Sequence, residues 1–272
     1  MGKTSWEFIK RNGTTPIDLY FISVKGGFRP LQQQFNLLKQ MEKISKAYRV
    51  SFVVSSSELG EDDPLMQNVT QHLSSLRVPW YNTCTTKASE GHGVGCFQEK
   101  ITISNGKTLE IIGVNTELLK DSAAKGSLSG NRNSRLSWLI RTLEASNSDW
   151  RMVVGNQPLI VCGDNKEKSE KTQAFEYLHR IFLKFAVNVY LSGQDCTHLV
   201  HEGSVAHIGN PGFIENDPYS VFLNKTSVFS RELANGFLLH RVTSLQIVTY
   251  YITSSGEIVY KTVIQQKGRE II

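Results

Sequence analysis

Residues 17–55 read IDLYFISVKGGFRPLQQQFNLLKQMEKISKAYRVSFVVS, and the order of patterns inside this stretch decides the fold class. Ile17 to Val24 is an almost unbroken apolar run halted by Lys25-Gly26-Gly27, the signature of a strand buried on both faces. Leu31, Phe35, Leu38, Met41 and Ile44 then recur at helical spacing, which predicts an amphipathic helix with these side chains on its core face. Val50 to Ser55 is a second buried strand. Polar SSELGEDDP follows, then a short helix around residues 64–75 and a third strand at Val78 to Asn82. Strand, helix, strand, helix, strand is the order of a parallel sheet with crossover helices.

Two further strands are expected at residues 97–104 and 108–114, joined at Asn105-Gly106, the dipeptide a type I′ hairpin turn favours. Residues 119–133 are rich in Ser, Gly, Lys and Asn and read as a surface loop. Leu136, Leu139, Ile140 and Leu143 make the next helical face, and Arg151 to Val154 a strand ending at Gly155. A helix through Phe175, Leu178, Ile181 and Phe182 leads into strand Val187 to Leu191. Residues 236–241, 244–252 and 257–264 are closely spaced and β-rich, as in an antiparallel meander. The expectation is a single α/β domain over 1–272, with sheets packed face to face and helices outside, preceded by a polar segment at 1–16.

The formal charge of +5 arises from 30 basic and 25 acidic residues with no Lys/Arg run, so no nucleic-acid footprint is expected. No apolar stretch approaches the length of a membrane span, and the start of the chain has no apolar signal-peptide core. On this reading the chain is cytoplasmic, or secreted or lysosomal if a leader has been lost. Cys84, Cys96, Cys162 and Cys196 show no C-x-x-C spacing, so no zinc knuckle or redox pair is suggested. Gly91 to Gly95 and Gly126 to Gly130 imitate a phosphate loop and a nucleophile elbow. They lack the Lys and the central Ser that those motifs need.

Ligands in such folds gather beyond the C-terminal ends of the strands. Here those positions are Lys25-Gly26-Gly27, Ser57-Glu58-Leu59, Thr83 to Ala88, Gly155-Asn156-Gln157-Pro158 and Ser192 to Cys196. Their order, together with LYFISV, VPWYN, RLSWLIRTLEASNSDWRMVVGNQP, VNVYLSGQDC and the closing GFLLHRVTSLQIVTYYITSSGEIVYKT, resembles the calcineurin-like metallophosphoesterases. The likeness is closest to the small purple acid phosphatases and runs from about Ile17 to the C-terminus. It implies a four-layer α/β/β/α sandwich of two mixed sheets flanked by helices. It also implies phosphoester hydrolysis by two metals that bind phosphate and acidify a water.

Carried over residue by residue, the ligand set is degenerate. The GD after the first strand reads Lys25-Gly26, and Gly26 has no side chain to donate. GDNxY appears as Ser57-Glu58-Leu59-Gly60-Glu61, where Glu58 stands in for the bridging Asp and Glu61 for the tyrosine. GNHD reads Thr85-Thr86-Lys87-Ala88, with Thr86 and Lys87 in place of the amide ligand and the catalytic His. GHxP has become Gly155-Asn156-Gln157-Pro158, and GHDH has become Gly193-Gln194-Asp195-Cys196. Amides in place of imidazoles hold a transition metal poorly, and a lysine beside the site opposes metal entry.

No cofactor is therefore expected. The alternative is one weakly held divalent metal, with Glu58, Asn156 and Asp195 as candidate ligands. Glu58 and Glu61 also read as loop carboxylates near the helix that starts at Asp63-Pro64. Cys196 reads as a buried thiol, its pairing with Cys84 being open, and His198, His201 and His207 as ordinary imidazoles. The implied role is a phosphatase scaffold that binds a protein partner or a small anionic ligand. The alternative is residual phosphomonoester hydrolysis at an altered site.

Overall fold

The computed structural model describes residues 18–72, 76, 78–83, 97–119, 135–159, 170–193, 200–202, 204–212 and 235–266. Twelve strands among them form two six-stranded sheets. In the first, β1 (Leu19–Lys25), β2 (Val53–Ser56) and β3 (Trp80–Asn82) run parallel. The closing meander of β10 (Gly236–Val242), β11 (Gln246–Thr253) and β12 (Ile258–Gln265) extends this sheet antiparallel from β1. The second sheet has parallel β5 (Thr108–Gly113), β6 (Trp150–Val154), β7 (Val189–Ser192) and β9 (Val205–Gly209). Antiparallel β4 (Phe97–Thr102) and β8 (Val200–Glu202) lie at its edges. The β8–β9 pair is an addition to the expected strands.

Alternation along the strands builds the layers, because successive side chains point to opposite faces. Phe21 and Val54 of the first sheet meet Ile111, Met152, Val154 and Leu191 of the second in the inter-sheet core. Ile22, Val24 and Val53 point the other way, onto Leu37, Leu38 and Met41 of α1 (Leu31–Tyr48) and Leu65 and Val69 of α2 (Pro64–His72). Ile112, Val153 and Tyr190 face α3 (Arg135–Ala145) and α4 (Glu170–Lys184) through Leu139, Leu143, Leu178 and Phe182. The architecture is thus α/β/β/α. Each large aliphatic side chain so enclosed contributes about 1.5–3 kcal/mol, which is why the parallel strands read as apolar runs.

Three details differ from the sequence reading. α1 buries Gln34, Leu37, Leu38, Met41 and Ser45, whereas Leu31 and Phe35 face outward. Gln34 takes an inner place because its amide donates to the Arg29 carbonyl and accepts from Asn68. Leu119 belongs to the core under α3 and α4, so a surface loop there starts no earlier than residue 120, and 120–133 lie outside the described residues. Third, β3 begins at Trp80, so Val78 and Pro79 precede the strand. The β4–β5 hairpin turns at Asn105 and Gly106, both at positive φ (60° and 70°), with Lys107 N–H donating to the Ser104 carbonyl. That is the conformation for which Asn-Gly is suited.

Candidate functional site

The parallel strands of both sheets end along one edge of the molecule, and their terminal residues interlock. Lys25 closes β1 of the first sheet, and its Cε lies 3.9 Å from where a Gly193 Cβ would stand after β7 of the second. A side chain from one sheet thus lies over the strand end of the other. Gly193 itself approaches the Asn156 carbonyl so closely that a Cβ would lie 2.5 Å from that oxygen, which accounts for glycine there.

Beside Lys25, Asp63 fills the space that a side chain at Gly26 would take. A Cβ built on Gly26 would lie 2.1 Å from Asp63 Oδ2 and 2.6 Å from Ser57 Cβ. The fully buried Asp63 carboxylate accepts three hydrogen bonds: Gly27 N–H at 2.7 Å and Ser57 O–H at 2.5 Å on Oδ2, and Leu65 N–H at 2.8 Å on Oδ1. The bond from Leu65 caps the N-terminus of α2, with Pro64 in the first helical position. One carboxylate therefore starts a helix and ties it to the end of β1.

Arg29 supplies the nearby positive charge. It is 7% exposed, donates from Nη2 to the Lys25 carbonyl at 2.6 Å, and leaves Nε and Nη1 without a hydrogen-bond partner among the described residues. Burial pulls its pKa down to about 10, and attraction to Asp63 opposes that fall. The hydroxyls around this pair are committed to structure. Thr83 O–H donates to the Ser57 carbonyl at 2.7 Å and Thr83 Oγ1 accepts Ser57 N–H at 2.8 Å, locking the ends of β2 and β3. Asn210, after β9, donates to the Ser192 carbonyl at 2.9 Å and to Ser56 Oγ at 3.3 Å.

Of the residues singled out in the sequence, Gly26 lies at the centre of this edge. Asn156 is buried next to Gly193, its Oδ1 accepting Thr116 N–H at 2.7 Å and its Nδ2 without a partner among the described residues. Glu58 is exposed, and Glu61 lies in a 3-10 turn, Gly60–Asp62. Thr86, Lys87, Gln194, Asp195 and Cys196 lie outside the described residues, as do Cys84, His198 and the two glycine-rich stretches. His201 is on β8, and His207 on β9 is buried with its ring edge-on to Tyr190.

No three His, Cys, Asp or Glu residues gather among the described residues in a way that would hold a metal. Among the described residues, the donors at these strand ends are hydroxyls, amides, the Asp63 carboxylate already bonded three times and the exposed Glu58, a set that does not by itself make a two-metal centre. Asp63, Arg29 and Lys25 were not singled out as site residues. Asp63-Pro64 announced a helix start, but its reach across 36 residues to Gly27 has no local signal.

No family model matches the chain, and no curated protein does. Solved structures do. GAP50, the anchor in the inner membrane complex of Plasmodium, is 18% identical with a TM-score of 0.66, covering 94% of this chain and 91% of its own. A predicted phosphoesterase of Streptococcus pneumoniae (10% identity, TM-score 0.42, 91% and 98% covered) resembles it more loosely. So does Vps29 of Entamoeba histolytica (10%, 0.45, 92% and 100%). What the likeness to GAP50 shows is the fold, two mixed sheets face to face with helices outside. The edge just described is the one where strand ends of both sheets converge.

Proposed function

We propose that the chain is a phosphoesterase-fold binding module, related to the small purple acid phosphatases but without their metal chemistry. The supporting observation is the buried Asp63 carboxylate, which takes the volume left by Gly26 and is held by Ser57, Gly27 and Leu65. A metal there would have to displace all three donors and then sit against the Arg29 charge. What the edge offers instead is an amide N–H on Asn156 with no partner among the described residues, which suits a protein carboxylate or a small anion. GAP50, the anchor in the inner membrane complex of Plasmodium, is an example of the same fold in a binding task.

The test is elemental analysis of chelator-free protein together with turnover of a chromogenic phosphate monoester. Substoichiometric iron, zinc and manganese with no turnover is the expected outcome. About two equivalents of metal, with turnover abolished by Glu58→Gln, would overturn the reading and establish an altered phosphoesterase instead.

A further inference from the structure

Arg29 is a buried cation with unused donors. It is 7% exposed, and its one hydrogen bond runs from Nη2 to the Lys25 carbonyl at 2.6 Å. Nε and Nη1 are shut off from solvent and have no partner among the described residues. Asp63 attracts the guanidinium but makes no hydrogen bond to it, its own bonds coming from Gly27, Ser57 and Leu65. Asn156 holds a second buried donor at the same edge. Because its Oδ1 accepts Thr116 N–H, the unpartnered atom is the amide nitrogen.

Buried charges are as a rule paired, and a buried N–H without a partner points to a water or an ion at that place. Guanidinium and amide nitrogens only donate, so what completes them has only to accept. Burial lowers the Arg29 pKa no further than about 10, so at neutral pH the side chain keeps its charge, and the charge is unmet along with the N–H groups. We propose that this edge takes up a small monovalent inorganic anion, of the chloride class, against Arg29 Nε and Nη1. The assignment rests on the binding-module reading and gives its small anion a place and a class. The closure of both atoms to solvent suits a bare ion and not a carboxylate or phosphate carried on a larger molecule. The Asp63 carboxylate nearby repels a dianion more than a monoanion. A spherical ion also accepts from whatever direction the rigid guanidinium offers.

Crystals of the full chain in bromide, with data collected at the bromine absorption edge, test this. An anomalous peak within hydrogen-bonding distance of Arg29 Nε or Nη1 is expected, and it is absent in Arg29→Met. In solution the thermal midpoint rises with chloride at constant ionic strength, gluconate making up the balance. That rise is lost in Arg29→Met and in Arg29→Lys, whose transitions without chloride report that they fold. No peak at Arg29, an ordered water there without anomalous signal, or a chloride response equal in wild type and both variants overturns the assignment. Elemental analysis of the same preparation separates the two readings. Metal-free protein with no bromide at Arg29 overturns the anion alone, whereas about two equivalents of metal with phosphomonoester turnover overturn the binding module as well.

Discussion

Asp63 joins three structural demands in one side chain, and its removal separates them. Asp63→Ala deletes the α2 cap, leaves Gly27 N–H and Ser57 O–H unpaired, and strands the buried Arg29 guanidinium without its counter-charge. A buried charge left alone dominates such losses, so unfolding in urea is expected to register about 3–5 kcal/mol. Adding Arg29→Met should recover part of that loss, whereas Arg29→Met alone should be milder, because an apolar side chain of similar length needs no partner. Gly26→Ala makes the complementary test: its Cβ has no room beside Asp63 and Ser57, and a cost of about 1–3 kcal/mol is expected from overpacking. Of this only the helix start at Asp63-Pro64 was visible in the sequence. The family spacing directed attention to Glu58, which proves to be exposed, while the carboxylate that fills the space lies five positions on.

Elements were more legible than their orientations. β1, β2 and β6 could be placed because strands buried on both faces show as short apolar runs, and the β4–β5 turn because Asn105-Gly106 suits two positive φ angles. α1 could be found by its period but not by its face. Leu31 and Phe35 fit the apolar spacing as well as Leu37 does, and what rotates them outward is tertiary, the anchoring of Gln34 to Arg29 and Asn68. β8 escaped notice because three residues carry no period. α1 also ends under strain. Arg49 adopts φ 52°, ψ 52° at the C-terminal cap, a left-handed conformation that glycine enters without a Cβ clash. Arg49→Gly is therefore expected to stabilise the protein by about 1 kcal/mol, less the extra freedom glycine gives the unfolded chain. The direction is read from the urea midpoint at constant m-value.

At the scale of the whole molecule, a line of polar side chains crosses the apolar space between the sheets. Thr249 bonds His240 Nδ1 at 2.9 Å, His240 Nε2 bonds Ser23 Oγ at 2.8 Å, and Ser23 O–H donates to Asn210 Oδ1 at 2.5 Å, next to β9 of the other sheet. Because the single hydroxyl hydrogen of Ser23 goes to Asn210, His240 presents Nε2–H to Ser23, and in the neutral ring Nδ1 accepts from Thr249. Full burial, against Phe21 at 4.4 Å, disfavours the cation and pushes the pKa from 6.5 to about 3. The consequence for stability has a definite sign. Between pH 6.5 and about 3 the unfolded chain holds a proton on this residue that the folded chain lacks, so the stability present above pH 6.5 is lost as the pH falls through that window. The slope approaches about 1.4 kcal/mol per pH unit while the difference is one full proton. His240→Gln keeps a donor and an acceptor but has no proton to gain. Its stability measured in urea at pH 7 and pH 4 should therefore fall less steeply than that of the wild type. Equal slopes would mean that His240 charges in place without breaking the line.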